Sequence, residues 1–166
     1  MKWAKIDWIT FEQEKPKEVV DTQIIDHNQA DNSGLPTILT VDDSPTAQGV
    51  IKLTLGNKYN IVFASNAIDG IKILNKQNID LMLLDVNMPG IDGLQMCKTI
   101  RSMPKFKDLP IIMLTAQNTR VDKIKGQIAG SNHYLNKPFA EKELISIVDR
   151  YLDQVENTKP EVVTVK

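Results

Sequence analysis

The chain has 166 residues, 42% of them apolar and 25% charged, with a formal net charge of -1, the make-up of one globular domain plus an extension. So even a balance provides no broad basic field for nucleic acid or an anionic membrane, and no apolar run approaches the roughly 20 residues that cross a bilayer. The N-terminus, with Asp7, Glu12 and Glu14, lacks the apolar core of a signal peptide, so a cytoplasmic location without membrane insertion is expected.

Residues 1–35 are rich in Glu, Asp, Lys and Gln and close on Asp31-Asn32-Ser33-Gly34, which reads as an N-terminal extension and linker. The exception is Trp3-Ala4-Lys5-Ile6-Asp7-Trp8-Ile9-Thr10-Phe11, which holds both tryptophans of the chain. It packs on the domain, is the end of a neighbouring domain, or docks a partner, tryptophan being enriched at interface hot spots.

From Thr37 a short apolar strand followed by an amphipathic helix repeats five times. Thr37 to Val41 predicts the first strand, and Ser44-Pro45 supplies an N-cap and a preset first position for a helix reaching Leu55. Tyr59 to Ala64 is the second strand, with Ala67, Ile71 and Leu74 on the face of the next helix. The run Ile79-Asp80-Leu81-Met82-Leu83-Leu84-Asp85 predicts a third strand buried on both sides. Leu94, Cys97 and Ile100 mark the third helix, where the lone cysteine is a small buried hydrophobe. Pro110 to Thr115 is the fourth strand; a polar stretch from Ala116 leads to a helix over 120–129 closed by Gly130. Asn132 to Asn136 is the fifth strand, and Leu144, Val148 and Leu152 face the core from the last helix. The domain thus spans 36–153, and the tail over 154–166, with Pro160 and scattered charges, is expected to fray.

Five strands alternating with helices require parallel pairing, because each crossover is a right-handed helix. The expected fold is α/β, a doubly wound, flavodoxin-like (βα)5 sheet in the order 2-1-3-4-5, whose topological switch lies between strands one and three. Asp42-Asp43, Asp85, Thr115 and Lys137-Pro138 stand at the carboxyl ends of strands one, three, four and five. Carboxylates gathered there repel by about 4 kcal/mol per pair at 4 Å and an effective dielectric near 20, so a cation is needed. Oxygen-only ligands on an open rim suit Mg²⁺. An aspartate, a divalent ion, a lysine and a hydroxyl around one point are what an aspartyl phosphate requires.

Val41-Asp42-Asp43-Ser44-Pro45, Leu84-Asp85-Val86-Asn87-Met88-Pro89-Gly90-Ile91-Asp92-Gly93, Met113-Leu114-Thr115-Ala116 and Tyr134-Leu135-Asn136-Lys137-Pro138-Phe139 occur in order, and together they resemble the receiver domain of two-component response regulators (CheY-like). The resemblance covers about Pro36 to Leu152. It implies that Asp85 accepts a phosphoryl group from a histidine kinase or phosphotransfer domain. It also implies that Asp42, Asp43, Asp85 and the backbone carbonyl of Asn87 hold Mg²⁺, that Lys137 pairs with the phosphoryl group, and that Thr115 closes onto it. Lys137-Pro138 would be a cis peptide. Tyr134 matches the switch aromatic, a plain core tyrosine being the alternative, while Asn87 and Gln117 occupy positions that tune phosphoryl lifetime. Pro104-Lys105-Phe106-Lys107-Asp108-Leu109-Pro110 and the run from Asp122 to Ser131 look like receivers of pilus motility and phototaxis, of the PilG and PixG type.

His27 and His133 have no metal-ligand company and read as surface residues rather than phosphorelay groups. A phosphohydrolase of the haloacid-dehalogenase type would carry an acid where Asn87 stands, and a nucleotide-binding module would need a Gly-rich loop where Asp42-Asp43-Ser44-Pro45 stands. Neither reading fits as well as a signalling switch whose only chemistry is its own phosphorylation and dephosphorylation. A phosphorylation-independent pseudo-receiver acting as an interaction module is the alternative. With no basic helix and no output domain after Leu152, the expected output is contact with a downstream protein through the face made by the fourth helix, the fifth strand and the fifth helix, without direct DNA binding.

Overall fold

The structure is a computed structural model that describes residues 34–116, 127 and 129–158. Five strands, β1 (Thr37–Val41), β2 (Asn60–Ala64), β3 (Leu81–Asp85), β4 (Ile111–Thr115) and β5 (His133–Asn136), form one sheet in the order β2-β1-β3-β4-β5. Every pairing is parallel. The expected topology is therefore the observed one.

β3 and β4 are buried at every position because helices cover both faces of the sheet, which is why these strands are unbroken apolar runs rather than alternating ones. One core layer joins Leu39, Val41, Met82, Leu84 and Met113 to Leu74, Met96, Cys97 and Ile100. The other joins Ile38, Leu81, Leu83, Ile112 and Leu114 to Ile51, Leu55, Leu144 and Val148.

Helices α1 (Pro45–Leu55), α2 (Ala67–Lys76) and α3 (Gly93–Arg101) each begin on a side-chain cap, from Ser44, Asn66 and Asp92 respectively. Each cap accepts a backbone N–H that the first helical turn leaves without an internal partner. A 3₁₀ turn, Pro104–Phe106, follows α3, where the sequence predicted no element.

The C-terminal helix runs Glu141–Thr158, so the first part of the tail expected to fray over 154–166 is helical. No Gly or Pro intervenes before Pro160, and nothing in Asp153-Gln154-Val155-Glu156-Asn157 breaks a helix once the core face has nucleated it. Gln127 and Ala129 are helical, and Gly130 closes that segment with φ +93. The rest of the helix expected over 120–129, together with Gln117, His27, the Trp3 to Phe11 stretch and the tail over 159–166, lies outside the described residues. Among the described residues no helix is long and apolar enough to cross a membrane.

Candidate functional site

Register fixes what the carboxyl edge of the sheet presents. Val41 pairs with Leu84, Asp85 with Leu114, and Thr115 with Asn136, so Asp42, Asp85, Thr115 and Lys137 all leave their strands at one edge. Backbone bonds hold this edge in place: Asp42 N donates to Ala64 O (3.0 Å), Val86 N to Leu114 O (2.9 Å) and Lys137 N to Thr115 O (2.6 Å). Lys137-Pro138 is cis.

Asp42 is fully buried, Asp85 is 5% exposed, and Asp43 is open to solvent. One ligand oxygen from each of Asp42, Asp43 and Asp85 lies within 4.8 Å of the other two. The Lys137 ammonium enters this cluster, 2.6 Å from Asp42 Oδ2 and 3.1 Å from Asp85 Oδ1. Asp42 Oδ1 accepts the Ser44 N–H at 2.9 Å, which aims the carboxylate as α1 begins. A carboxylate has about four lone-pair positions, so both oxygens of Asp42 keep capacity for a further ligand.

Burial raises the Asp85 pKa above the usual carboxylate value, against the opposing pull of the Lys137 ammonium and the Asn87 N–H; the Asp42 carboxylate adds to the rise. Burial alone would lower the Lys137 pKa, but its bond to Asp42 and the field of Asp85 outweigh this and raise it. Lys137 therefore stays an ammonium, and it is the countercharge that lets two acids be buried together.

Thr115 is fully buried at the end of β4. Tyr134, on β5, packs its ring against the α3 side of the core with its hydroxyl buried. The side chain of Asn87 is exposed. His133 belongs to the opposite half of β5, paired with Ile112; it is half-buried beside Tyr151, with ring centroids 6.0 Å apart, rather than a plain surface residue, because the C-terminal helix packs over it. Cys97 is buried, as expected, and its thiol donates to Ala129 O at 3.3 Å.

Two supporting residues escaped the sequence reading. Gln48 Nε2 donates to Asp42 O at 2.6 Å, tying α1 to the acidic turn. Gly93 lies against the backbone of Asp85, where a Cβ would fall 2.1 Å from Asp85 O. A glycine directly after the Asp92 cap, at the first helical position where alanine would serve a helix better, was the available signal.

An acidic cluster bridged by one lysine at the switch point of a 2-1-3-4-5 sheet defines a CheY-like α/β signalling module. The chain belongs to the response regulator receiver domain family, whose model matches residues 38–149. Among solved structures it is similar to a putative response regulator from Chloroflexus aurantiacus, with 40% identity over 72% of this chain and 98% of that one and a TM-score of 0.69. It is also similar to the chemotaxis protein CheY4 of Vibrio cholerae, with 29% identity over 70% and 98% and a TM-score of 0.68. The receiver domain of the sensor histidine kinase PA1611 from Pseudomonas aeruginosa, which has a magnesium ion coordinated in its active site cleft, shares 32% identity over 72% and 98% with a TM-score of 0.67.

Proposed function

We propose that this receiver is a phosphorylation switch in which Asp85 is the phosphoacceptor. The observation that carries the reading is the Lys137 ammonium bridging Asp42 and Asp85 at 2.6 and 3.1 Å, because it puts a fixed positive charge beside the one buried carboxylate that ends the central strand. A carboxylate oxygen of Asp85 attacks the phosphorus of a phosphohistidine on a histidine kinase or phosphotransfer domain. The O–P bond forms as the P–N bond breaks, and the electron pair leaves with the imidazole nitrogen. Lys137 neutralises charge on the phosphoryl oxygens, and the Thr115 hydroxyl donates to one of them.

Three carboxylates with oxygens within 4.8 Å form an all-oxygen donor set of the kind Mg²⁺ takes. Asp42, Asp43, Asp85 and the carbonyl of Asn87 are the residues to hold it, and it would supply further charge neutralisation at the phosphoryl oxygens. Asn87, whose side chain is exposed, and Gln117 tune how long the phosphoryl group persists.

New contacts from Lys137 and Thr115 to the phosphoryl group differ between the two states, and such differences are what a switch requires. Moving it from 1:99 to 99:1 takes about 5.5 kcal/mol. Tyr134 carries the change to the surface of β5 and the C-terminal helix, where a downstream protein reads it. The test is incubation with Mg²⁺ and a small acyl phosphate. Wild type should take up base-labile phosphate and Asp85→Asn should take up none; uptake by the variant, or none by either, overturns the assignment.

A further inference from the structure

Helix α1 carries two exposed large apolar side chains opposite its core face. Ile51 and Leu55 turn inward to the core, while Val50 is 45% and Leu53 83% exposed. Thr46, Gly49, Val50 and Leu53 follow the i, i+3, i+4, i+7 spacing of one outer stripe, and Lys52 is the only charged residue of the helix. The N-cap side of this stripe adjoins Asp42-Asp43, and its other end, at Leu53, reaches the amino edge of the sheet through the turn that leads into β2.

The chain enters the domain at that same amino edge, where Asn60 N donates to Pro36 O at 3.0 Å and β1 begins beside β2. Upstream stand Trp3, Ile6, Trp8, Ile9 and Phe11, five large apolar side chains within nine positions. The stretch 12–36 is long enough to bridge the gap, since a chain of that length spans roughly 25–30 Å even at average coil dimensions, whereas an 11-residue helix such as α1 is only about 16 Å long. The tether therefore reaches any point of the stripe. It also holds the segment at an effective concentration on the order of millimolar, which favours this chain's own segment over a second copy.

We propose that residues 3–11 seat on the outer face of α1, with Val50 and Leu53 as the floor of the contact. Both tryptophans of the protein lie in this segment and none elsewhere, so selective tryptophan excitation reports on it alone.

The experiment compares emission wavelength and acrylamide quenching for the full chain, for the same chain with Leu53→Asp or Val50→Asp, and for a peptide of residues 1–20. Ile68→Asp, on α2 at a position 57% exposed, is the control. Emission of the wild type should be blue-shifted from the peptide and less quenched, independently of protein concentration. Leu53→Asp and Val50→Asp should move both readouts to the peptide values, Ile68→Asp should not, and far-UV circular dichroism should show all variants folded. Peptide-like emission from the wild type overturns the proposal. So does a blue shift that Leu53→Asp and Val50→Asp leave in place, which puts the segment elsewhere, or one lost on dilution, which assigns the stripe to a second copy. Emission that shifts to the blue only on adding a separate phosphotransfer partner also overturns it.

Discussion

Lys137 lies closer to Asp42, at 2.6 Å, than to Asp85, at 3.1 Å. The ammonium of the fifth strand's edge is thus held first by the fully buried acid that follows the first strand. The second acid, the last residue of the adjacent strand β3, completes the bridge. Three carboxylates share one cation, and the arrangement is short of positive charge.

Removal of that cation should be costly in the absence of metal. Breaking a buried pair by deleting one partner typically costs 3–5 kcal/mol, and because the Lys137 side chain is 22% exposed the expected loss for Lys137→Met is about 3 kcal/mol. Urea denaturation in divalent-free buffer measures it. Saturating Mg²⁺ should restore part of the loss, since a ligand that binds only the folded state stabilises it. Equal midpoints for variant and wild type without Mg²⁺ would contradict the charge argument.

Gly93→Ala should damage the site without touching an acid. The new Cβ would fall 2.1 Å from Asp85 O and 2.9 Å from Val86 Cα, and both are backbone, so α3 must move off the end of β3. Overpacking of this kind costs about 1–3 kcal/mol. The variant should melt earlier and take up phosphate from an acyl phosphate more slowly than wild type; an unchanged melting temperature would show that α3 yields freely here.

The sequence carried the positions of Asp42, Asp43, Asp85, Thr115 and Lys137 because a βα repeat puts each strand's last residue at one edge, whatever its neighbours. It also carried the buried thiol of Cys97 and the caps at Ser44 and the first turn of α1. What it did not carry is side-chain pairing across long separations. The Gln48 bond to Asp42 O, the Lys58 contact with Asp149 and the Arg101 bond to Gly130 O involve polar residues on exposed or half-exposed faces, where no period distinguishes a partner from solvent. The exposed apolar side chains of α1, Val50 and Leu53, were equally hidden, since a core stripe and an outer stripe on one short helix blur each other's spacing.

Arg101 is the largest of these unread contacts. Its guanidinium donates to Gly130 O at 2.7 Å, Phe106 O at 3.0 Å and Asn132 Oδ1 at 2.7 Å, joining α3, the 3₁₀ turn and the entry to β5. Lysine has a single point of donation and cannot reproduce this fork. Arg101→Lys should cost about 2 kcal/mol, from hydrogen bonds lost at half-buried carbonyls, measurable as a shift in the denaturation midpoint. It should leave phosphate uptake at Asp85 intact, because none of the three acceptors belongs to the acidic cluster.

Tyr59 gives the protein an alkaline limit. It is 7% exposed, and burial first, then its bond to the Asp149 carboxylate, pushes its pKa from 10.0 up to about 12. With the folded value above the unfolded one, the folded state holds more protons between these two limits. Stability is therefore fully present below pH 10 and falls as pH rises toward 12. Lys137 also has a raised pKa, so the wild type loses its contribution as well, at still higher pH than an ordinary lysine. Tyr59→Phe removes the first loss and keeps the second. At neutral pH the variant should be about 1 kcal/mol less stable, for one hydrogen bond, with Asp149 still paired to Lys58 at 2.6 Å. Between pH 10 and 12 its stability should fall less steeply than that of wild type, so that the two curves converge in urea denaturation across that range; parallel curves would place the alkaline limit on another group.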